Sequence, residues 1–275
     1  MSVLDEIIVG VKEDLANRKS QHPLHQIRSR ALESAPALDV TEYFADGAFG
    51  VIAEVKRSSP SKGALAQISD PAALAKSYER GGACAISVLT EERRFNGSLA
   101  DLAAVRGAVS IPVLRKEFIV DEYQIFEARA YGVDIILLIV AALSDEQLVE
   151  FSNLTHSLGM RTLIEIHDEN ELLRVIRLSA QGVLALDLLG INARNLKTLD
   201  INSGIFPKLA PLVAAGVPLI AESGISSANE VAALAAVGAD GILVGEALVK
   251  DGDPAESIRT FLHRAEAARV RRLSP

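Results

Sequence analysis

The segment Gly132-Val-Asp-Ile-Ile-Leu-Leu-Ile139 decides the fold, because its glycine is followed almost at once by a short apolar run. A glycine often ends a helix, and an apolar run of this length is typical of a buried strand. Gly82-Ala-Cys-Ala-Ile-Ser-Val-Leu89 and Gly238-Ala-Asp-Gly-Ile-Leu-Val-Gly245 repeat the pattern. One unit, a helix followed by a strand, has therefore been repeated along the chain.

Eight apolar runs alternate with longer amphipathic stretches from Phe49 onward. The runs are 50–55, 83–89, 111–114, 133–140, 161–166, 183–191, 217–221 and 240–244. The helices between them are predicted to begin at the N-cap residues Asp70, Ser98, Asp121, Ser144, Asp168 and Ser226. This order predicts an α/β fold, a (β/α)8 TIM barrel. An open doubly wound sheet is the alternative, but the chain lacks a Gly-x-Gly-x-x-Gly after its first strand and a Walker sequence.

Residues 1–48 precede these units and are predicted to form an N-terminal helical extension of a single domain over 1–275. Their apolar residues recur at helical spacing from Leu4 to Leu15, and a second short helix is predicted over 25–34. The apolar face of the first helix needs a partner. We expect the extension to fold over the barrel and help to cover a substrate.

Composition excludes several classes of partner. A net charge of −8 argues against nucleic acid or an anionic membrane surface. The longest apolar run, 135–143, is far too short to span a membrane, and the N-terminus has no cleavable apolar segment. Cys84 is the only cysteine, so it forms no internal disulfide and is expected to be a buried structural thiol. We expect a cytoplasmic protein.

Charged and polar residues close the predicted strands. In Ile52-Ala-Glu-Val-Lys-Arg-Ser-Ser-Pro-Ser-Lys-Gly63, Glu54 and Lys56 lie two positions apart and therefore share a face of the first strand. The later strands end at or just before Lys116, Glu165, Asn192, Arg194 and Glu222. Barrels of this type carry their chemistry at the C-terminal ends of the strands. Any one residue could belong to a structural ion pair, but together they predict an active site.

The loops after the last two strands are rich in small residues, in Ala221-Glu-Ser-Gly-Ile-Ser226 and Leu243-Val-Gly-Glu-Ala-Leu248. Barrels often bind phosphate at these two positions with backbone N–H groups. Gly224 and Gly245 would let the backbone approach the anion, although either alone could simply form a turn. The pair favours a phosphate site.

Taken in order, the motifs closely resemble the indole-3-glycerol-phosphate synthase family. Besides the segments above, they are Ser87-Val-Leu-Thr-Glu91, Phe95-Asn-Gly-Ser98, Pro112-Val-Leu-Arg-Lys-Glu-Phe118, Leu163-Ile-Glu-Ile-His167 and Gly190-Ile-Asn-Ala-Arg-Asn-Leu196. The resemblance runs from about Phe49 to Asp253. It implies a carboxy-lyase of tryptophan biosynthesis that needs no metal or organic cofactor. The reaction would convert 1-(2-carboxyphenylamino)-1-deoxy-D-ribulose 5-phosphate into indole-3-glycerol phosphate by ring closure, decarboxylation and dehydration.

The resemblance also implies roles for individual residues. Lys116 corresponds to the general acid, Glu165 to the general base, and Lys56 with Glu54 to a second lysine and glutamate. An ammonium such as that of Lys116 can protonate the substrate carbonyl oxygen as it becomes a hydroxyl. The other matching positions are polar active-site residues (Asn192, Arg194, Glu222, Ser223), anion-holding loops (Ser59, Ser61, Gly224, Gly245, Glu246) and an apolar wall for the arene (Phe95, Phe118).

Departures from the family pattern are few. Glu117 stands where Asp is common and Ala193 where a second Asn is common, so secondary hydrogen bonds there are in doubt. His167 could share the face of Glu165, but we expect it to be satisfied within its own loop. His22 and His25 lack a ligand pattern, so no metal site is expected.

Other functions remain open on the residues alone. Another phosphate-binding barrel, such as phosphoribosylanthranilate isomerase or a sugar-phosphate epimerase, would share the last two loops but has no need of two lysines and two glutamates. A non-catalytic ligand-binding barrel would not need Lys116 and Glu165. The length leaves no room for fusion with a second barrel. We expect a monomer, rather than an obligate oligomer, that acts on a small phosphorylated molecule.

Overall fold

The computed structural model describes residues 2–59, 63–64, 68–196, 198–250 and 252–273, with the backbone alone for 59, 63–64 and 270–273. Within them, eight parallel strands form a closed barrel in which β1 also pairs with β8. The strands are β1 Gly50–Val55, β2 Ala85–Leu89, β3 Val113–Lys116, β4 Ile135–Ile139, β5 Arg161–Ile166, β6 Leu188–Asn192, β7 Leu219–Glu222 and β8 Gly241–Val244. The predicted (β/α)8 TIM barrel with a preceding helix is confirmed.

Helices alternate with the strands. In the described residues they are α1 Val3–Gln21, α2 Leu24–Glu33, α3 Thr41–Ala45, α4 Pro71–Gly81, α5 Leu99–Arg106, α6 Glu122–Ala130, α7 Asp145–Ser157, α8 Glu169–Ala180, α9 Ile205–Leu209, α10 Ala228–Ala236, α11 Glu246–Val249 and α12 Pro254–Leu273. A small antiparallel hairpin, Ser58–Ser59 with Gly63–Ala64, follows β1. None of these helices combines the length and the apolar composition that a membrane crossing requires.

Side-chain caps fix where most of the barrel helices begin. The side chains of Asp70, Ser98, Asp121, Ser144 and Asp168 each accept a backbone N–H from the first turn, as predicted. The prediction of Ser226 as the cap of α10 is wrong by one residue. Ser227 caps that helix in a reciprocal pair with Glu230, and Ser226 instead donates its N–H and hydroxyl to the same carboxylate.

Three strands lie later in the chain than predicted, and the seventh strand occupies Leu219–Glu222 rather than 217–221. The third occupies Val113–Lys116 rather than 111–114, and the sixth begins at Leu188 rather than 183. Pro112 has no N–H to donate to the ladder, which favours a later start. Val183 instead closes α8 by donating to Leu178. Lys116 and Asn192 are therefore the last residues of β3 and β6, not the first residues of the loops.

Alternate residues of each strand face either the barrel interior or the helices outside. Ile52, Leu114, Leu163 and Leu243 belong to the interior cluster, whereas Val51 and its counterparts pack against the helical layer. The interior is thus filled by side chains, as expected for a barrel of eight strands. Cys84 is buried, with its sulfur 3.4 Å from the carbonyl oxygen of Val51, so the predicted structural thiol is confirmed.

The N-terminal extension packs against both ends of the barrel. Leu4, Ile7 and Val11 of α1 join the interior cluster near the C-terminal ends of the strands. At the opposite end, Phe44 of α3 lies against Gly50 and Gly241, where a Cβ on Gly50 would come within 2.7 Å of the Phe44 ring. The apolar face of α1 is therefore buried on the barrel.

Candidate active site

A cleft at the C-terminal ends of the strands brings the predicted residues together. It encloses about 1110 Å³ of empty space, including its open mouth. The predicted residues that line it are Glu54, Lys56, Phe95, Lys116, Phe118, Glu165, Asn192, Arg194, Glu222, Ser223, Gly224, Gly245 and Glu246. Ser61 lies outside the described residues, and of Ser59 only the backbone is described.

Lys116 is the centre of the charged floor of this cleft. Its ammonium nitrogen lies 2.5 Å from Glu165 Oε2 and 2.6 Å from Glu222 Oε2. The three residues end or nearly end β3, β5 and β7, so the closure of the barrel is what brings them into contact. One lysine therefore bridges two carboxylates across the barrel.

The electrostatics of this trio follow from burial and from the number of donors to each carboxylate. Burial alone would lower the pKa of Lys116, but the negative charges of Glu165, Glu222 and Glu54 outweigh it, so the pKa is raised. Lys116 is thus firmly protonated. Burial, assisted by the negative charge of Glu165, raises the pKa of Glu222 to about 8. Burial also opposes ionisation of Glu165, but Lys116 and His167 hold its pKa well below the ordinary value.

The two carboxylates differ because Glu165 has more donors. Its Oε1 accepts a hydrogen bond from Asn192 Nδ2 at 3.1 Å and lies 3.0 Å from His167 Nε2. Within the described residues, Glu222 Oε1 has no hydrogen-bond partner. That oxygen occupies the space beside Gly190, where an added Cβ would lie only 2.1 Å away. Glu165 is therefore the stable carboxylate, and Glu222 is the one that holds a proton near neutral pH.

Glu54 and Lys56 form a second charged pair on the rim of the floor. The ammonium of Lys56 lies 2.5 Å from Glu54 Oε2, and the carboxylate is 5% exposed against 22% for the lysine. Glu54 also packs on Gly245, where an added Cβ would lie 3.1 Å from its Cβ. The predicted shared face is confirmed by this contact, and the cation is the partner that remains open to the cleft.

An apolar wall stands opposite these charges. The rings of Phe95 and Phe118 lie 6.2 Å apart at 41° to each other. Residues that the sequence did not single out complete the wall, namely Ile7 of α1 together with Leu89, Leu137, Ile139, Leu196, Leu199, Ile225 and Leu243. Their sequence signal is only that of core residues, because nothing local distinguishes a side chain that faces a cleft from one that faces packed atoms. The wall suits a flat aromatic ring.

Glu91 organises the loop that carries Phe95. Its buried carboxylate accepts the backbone N–H groups of Arg93, Arg94 and Phe95 at 3.1, 2.7 and 3.0 Å. Asn96 then takes a left-handed φ of 53°, which asparagine tolerates better than most residues. Sequence reasoning missed this role, although a glutamate four residues before an aromatic one offers a weak turn signal.

The loops after β6 and β7 contain unusual backbone. Leu199, which lines the cleft, has a φ of 66°, and its carbonyl accepts a hydrogen bond from the Arg194 guanidinium at 3.1 Å. Ser223 and Gly224 both have positive φ, at 64° and 73°. Successive backbone N–H groups in such conformations tend to point into one concavity that suits an anion. Strained backbone of this kind is typical of binding sites.

The two departures from the family pattern have local explanations. Glu117 is buried, where it accepts the Thr90 hydroxyl at 2.7 Å and the Phe118 N–H at 2.9 Å. Burial raises the pKa of Glu117. Ala193 contacts the site through its backbone, since its N–H donates to the Glu222 carbonyl at 2.9 Å. Both positions support the cleft, although neither of these contacts involves the charged groups of Lys116, Glu165 or Glu222.

His167 differs from the prediction that it is satisfied within its own loop. Glu171, four residues later, does contact its Nδ1 at 3.1 Å, but its Nε2 lies 3.0 Å from the active-site carboxylate of Glu165. The prediction is therefore incomplete, because the ring joins the loop to the site. The side chain is 6% exposed.

A parallel eight-stranded barrel with paired lysines and carboxylates in one cleft defines a barrel enzyme that performs acid–base chemistry. The family model for indole-3-glycerol phosphate synthase matches residues 4–261. The indole-3-glycerol phosphate synthase of Paenarthrobacter aurescens (strain TC1) is 52% identical over 273 residues, 98% of each chain. That of Nocardioides sp. (strain ATCC BAA-499 / JS614) is 53% identical over 94% of this chain and 97% of its own. The chain belongs to the indole-3-glycerol phosphate synthase family.

Membership in the family fixes the reaction. The protein is a lyase of tryptophan biosynthesis, and it closes the indole ring with loss of carbon dioxide. A thiamine phosphate pyrophosphorylase from Pyrococcus furiosus has a TM-score of 0.56 and 15% identity, covering 81% of this chain and 97% of its own. That likeness shows a common fold alone. Membership in the family sets aside the two alternatives, another phosphate-binding barrel and a non-catalytic barrel.

Proposed function

We propose that Lys116 is the general acid of ring closure. As the aromatic carbon that bears the carboxylate attacks the ketone carbon, the carbonyl oxygen takes a proton from the ammonium of Lys116. Carbon dioxide then leaves, and the bonding electrons it leaves behind restore the aromatic ring. The observation that carries this proposal is the position of the Lys116 nitrogen, 2.5 Å from Glu165, whose negative charge keeps it protonated until substrate arrives, and 2.6 Å from Glu222.

Glu165 is the general base of the dehydration that follows. Once Glu222 has reprotonated Lys116, the ammonium gives this second proton to the hydroxyl, which leaves as water, while the Glu165 carboxylate removes a proton from the neighbouring ring carbon. The charge of Lys116 holds the pKa of Glu165 low. When Lys116 gives up its proton, that opposing charge disappears and Glu165 becomes more basic. The acid step thus prepares the base step, and Asn192 orients the carboxylate through its 3.1 Å hydrogen bond.

Glu222 returns a proton to Lys116. Each turnover consumes one proton, because a carboxylate leaves as neutral carbon dioxide and the ring keeps no additional charge. Glu222 lies 2.6 Å from the lysine nitrogen, and its pKa, raised to about 8 by burial and by the charge of Glu165, leaves it protonated at neutral pH. It can therefore pass its proton to the deprotonated lysine and recover another from solvent.

The remaining cleft residues hold the two ends of the substrate. Lys56, supported by Glu54, supplies a positive charge for the substrate carboxylate, and Phe95 with Phe118 packs on the arene. The backbone N–H groups around Ser223, Gly224 and Gly245 bind the phosphate, with Ser59, Ser61, Arg194 and Glu246 in the surrounding loops. The support for this arrangement is that the charged pair, the two phenylalanines and the glycine loops line one cleft, together with the family resemblance.

The assignment of acid and base is tested by comparing two variants in single-turnover experiments that follow both products. Lys116→Ala should abolish carbon dioxide release and indole formation together. Glu165→Gln keeps the shape of the side chain, so it should slow indole formation more than carbon dioxide release, within the ~10²–10⁴-fold that general catalysis typically contributes. Equal slowing of both products in Glu165→Gln would overturn the role of Glu165 as a base confined to dehydration.

The proposal also covers the location, the oligomeric state and the domain organisation of the protein. The protein acts as a cytoplasmic monomer with a single domain, in which residues 1–48 extend the barrel. The support is that residues of one chain line the whole described cleft, and that the sole cysteine is buried. Sedimentation at micromolar concentration checks the monomer, and a stable dimer would contradict it.

A further inference from the structure

His167 is a buried imidazole between two carboxylates. It follows β5 directly, and its Nε2 lies 3.0 Å from Glu165 Oε1 while its Nδ1 lies 3.1 Å from Glu171 Oε2. The backbone N–H of His167 donates to the same Glu171 oxygen at 2.8 Å, so the first turn of α8 fixes both its ring and its main chain. His167 is not among the described residues that line the cleft. Any effect of His167 on the reaction must therefore pass through Glu165.

The surroundings require a charged ring. A neutral imidazole has one nitrogen without a proton, and that lone pair would lie within 3.1 Å of a carboxylate oxygen on one side or the other. Burial disfavours the charged form, but the contacts with Glu165 and Glu171 outweigh it and raise the pKa of His167 to about 9. The contact with Glu165 is an ion pair rather than an aligned hydrogen bond, because Nε2 has no hydrogen-bond partner of normal geometry within the described residues.

Two of the other groups around Glu165 change their protonation during the proposed reaction. Lys116 approaches from β3 and loses its proton in the first step, Glu222 approaches from β7 and supplies one, and Glu171 on α8 is negative. Asn192 on β6 is neutral. His167 is thus the positive neighbour that persists when Lys116 is deprotonated.

We infer that His167 is a positioning residue of the lyase reaction, which keeps the Glu165 carboxylate ionised and oriented for removal of the ring proton. The inference rests on the proposed role of Glu165. Without the imidazolium, Glu165 would compete with Lys116 for its proton. The hydrogen bond from Asn192 would then be the remaining described contact of Glu165 Oε1, and the carboxylate would rotate about it. Loss of His167 therefore affects the dehydration half of the reaction and leaves substrate binding nearly unchanged.

The test compares His167→Gln with His156→Gln. His156 is a matched control, because it pairs with Asp187 at 2.6 Å beside the N-terminal end of the same strand, far from the cleft. We expect kcat of His167→Gln to fall about 10-fold at pH 7, less than the ~10²–10⁴-fold of a residue that transfers the proton itself, with KM within about twofold. The acid limb of its kcat profile should move up by about one pH unit, the effect of removing one nearby opposite charge. His156→Gln should keep both.

Nitrogen NMR of the wild-type enzyme provides a measurement that needs no variant. Both ring nitrogens of His167 should carry protons at pH 7, and the ring should titrate near its raised pKa of about 9. Glu171→Gln, which removes the outer carboxylate, should lower that pKa and reduce kcat at alkaline pH. A neutral ring at pH 7, or an unshifted acid limb in His167→Gln, would overturn the inference.

A double variant separates this inference from the proposed function. If Glu165 is the base and His167 acts through it, Glu165→Gln with His167→Gln should be no slower than Glu165→Gln alone. An active Glu165→Gln enzyme would remove the proposed role of Glu165 itself. An inactive Glu165→Gln enzyme alongside a fully active His167→Gln enzyme would remove only the role of His167.

Discussion

Two lysines and three glutamates share the floor of the cleft, and their pairing decides which of them carries a proton. Lys116 contacts Glu165 and Glu222, whereas Lys56 pairs with Glu54 in the part of the chain that the structure describes. Three positive partners and donors stabilise Glu165, while Glu222 has one oxygen beside Gly190 without a described partner. Identical side chains thus acquire opposite protonation states from their neighbours, which is the usual way in which one site performs acid and base chemistry.

Lys56 is expected to act on the substrate rather than merely to neutralise Glu54. Lys56→Met keeps the approximate shape of the side chain and removes its charge, so kcat should fall by at least ~10-fold, a lower bound set below the ~10²–10³-fold that a positioned electrostatic group typically contributes. Lys76→Met, the same change on the exposed face of α4, is the control and should retain kcat. Steady-state assays of both variants decide the matter. Turnover near wild type in Lys56→Met would mean that the pair is structural.

Gly190 is expected to be required because Glu222 occupies the space of a side chain there. In Gly190→Ala the new Cβ would lie 2.1 Å from Glu222 Oε1, so the carboxylate must leave the position in which its other oxygen contacts Lys116. We expect kcat to fall at least ~10-fold, because the proposed proton return is lost. Gly107→Ala is the matched control, since its Cβ would lie 3.5 Å from its nearest described neighbour, the Ala103 carbonyl oxygen, and its φ of −69° suits alanine. Equal activity of the two variants would contradict the role of this contact.

At the scale of elements, the loop between β2 and α5 depends on Glu91. Glu91→Ala leaves three backbone N–H groups without their acceptor and frees Phe95 from its position on the cleft wall. We expect KM to rise about 10-fold, which corresponds to about 1.4 kcal/mol of lost substrate binding. Glu92→Ala, a change at the exposed neighbouring position, should leave KM unchanged. An unaltered KM in Glu91→Ala would show that the loop holds its shape without this carboxylate.

The strands and their terminal charges could be predicted from the sequence because they depend on local patterns. Apolar runs located β1 and β5 at their observed bounds, and alternation placed Glu54 and Lys56 on one face. The start of β6 at Leu188 could not be found in this way. The apolar residues from Val183 onward resemble a strand. Val183 instead closes α8, and the Asp187 carboxylate accepts the backbone N–H of Thr162.

The contacts that tune the site were beyond sequence reasoning because they join residues distant in the chain. Lys116 and Glu222 are separated by 106 positions, and only closure of the barrel brings them to 2.6 Å. The need for a glycine at position 190 could not be predicted, because it arises from the Glu222 carboxylate, which is distant in the chain and occupies the space beside Gly190. His167 was recognised as a neighbour of Glu165, but its second partner, Glu171, required the first turn of α8 to fold back.

At the scale of the whole molecule, the extension is fastened to the barrel by charges as well as by its apolar face. Arg93 in the loop after β2 pairs with Glu13 and Asp14, each at 2.7 Å, and Arg18 pairs with the buried Glu127 of α6 at 3.0 Å. The pairs on Arg93 are exposed and contribute little stability individually, typically less than about 1 kcal/mol. Apolar burial is therefore the main force that holds α1 on the barrel.

Ile7 is expected to show whether this extension takes part in substrate binding. It is buried, and it is the α1 residue that lines the described cleft, so Ile7→Ala should raise KM about fivefold, or about 1 kcal/mol of lost apolar contact. Leu15→Ala is the control for stability, because Leu15 is equally buried but packs with Ile27, away from the cleft.

The comparison separates covering of the substrate from general attachment of the helix. Thermal unfolding should show both Ile7→Ala and Leu15→Ala destabilised, since removal of a buried aliphatic side chain typically costs about 2–5 kcal/mol. Val9→Ala, a change at a position of α1 that is 49% exposed, should alter neither stability nor KM. A KM that rises equally in Ile7→Ala and Leu15→Ala would mean that any loosening of α1 impairs binding. An unchanged KM in Ile7→Ala would mean that the helix serves the barrel and not the substrate.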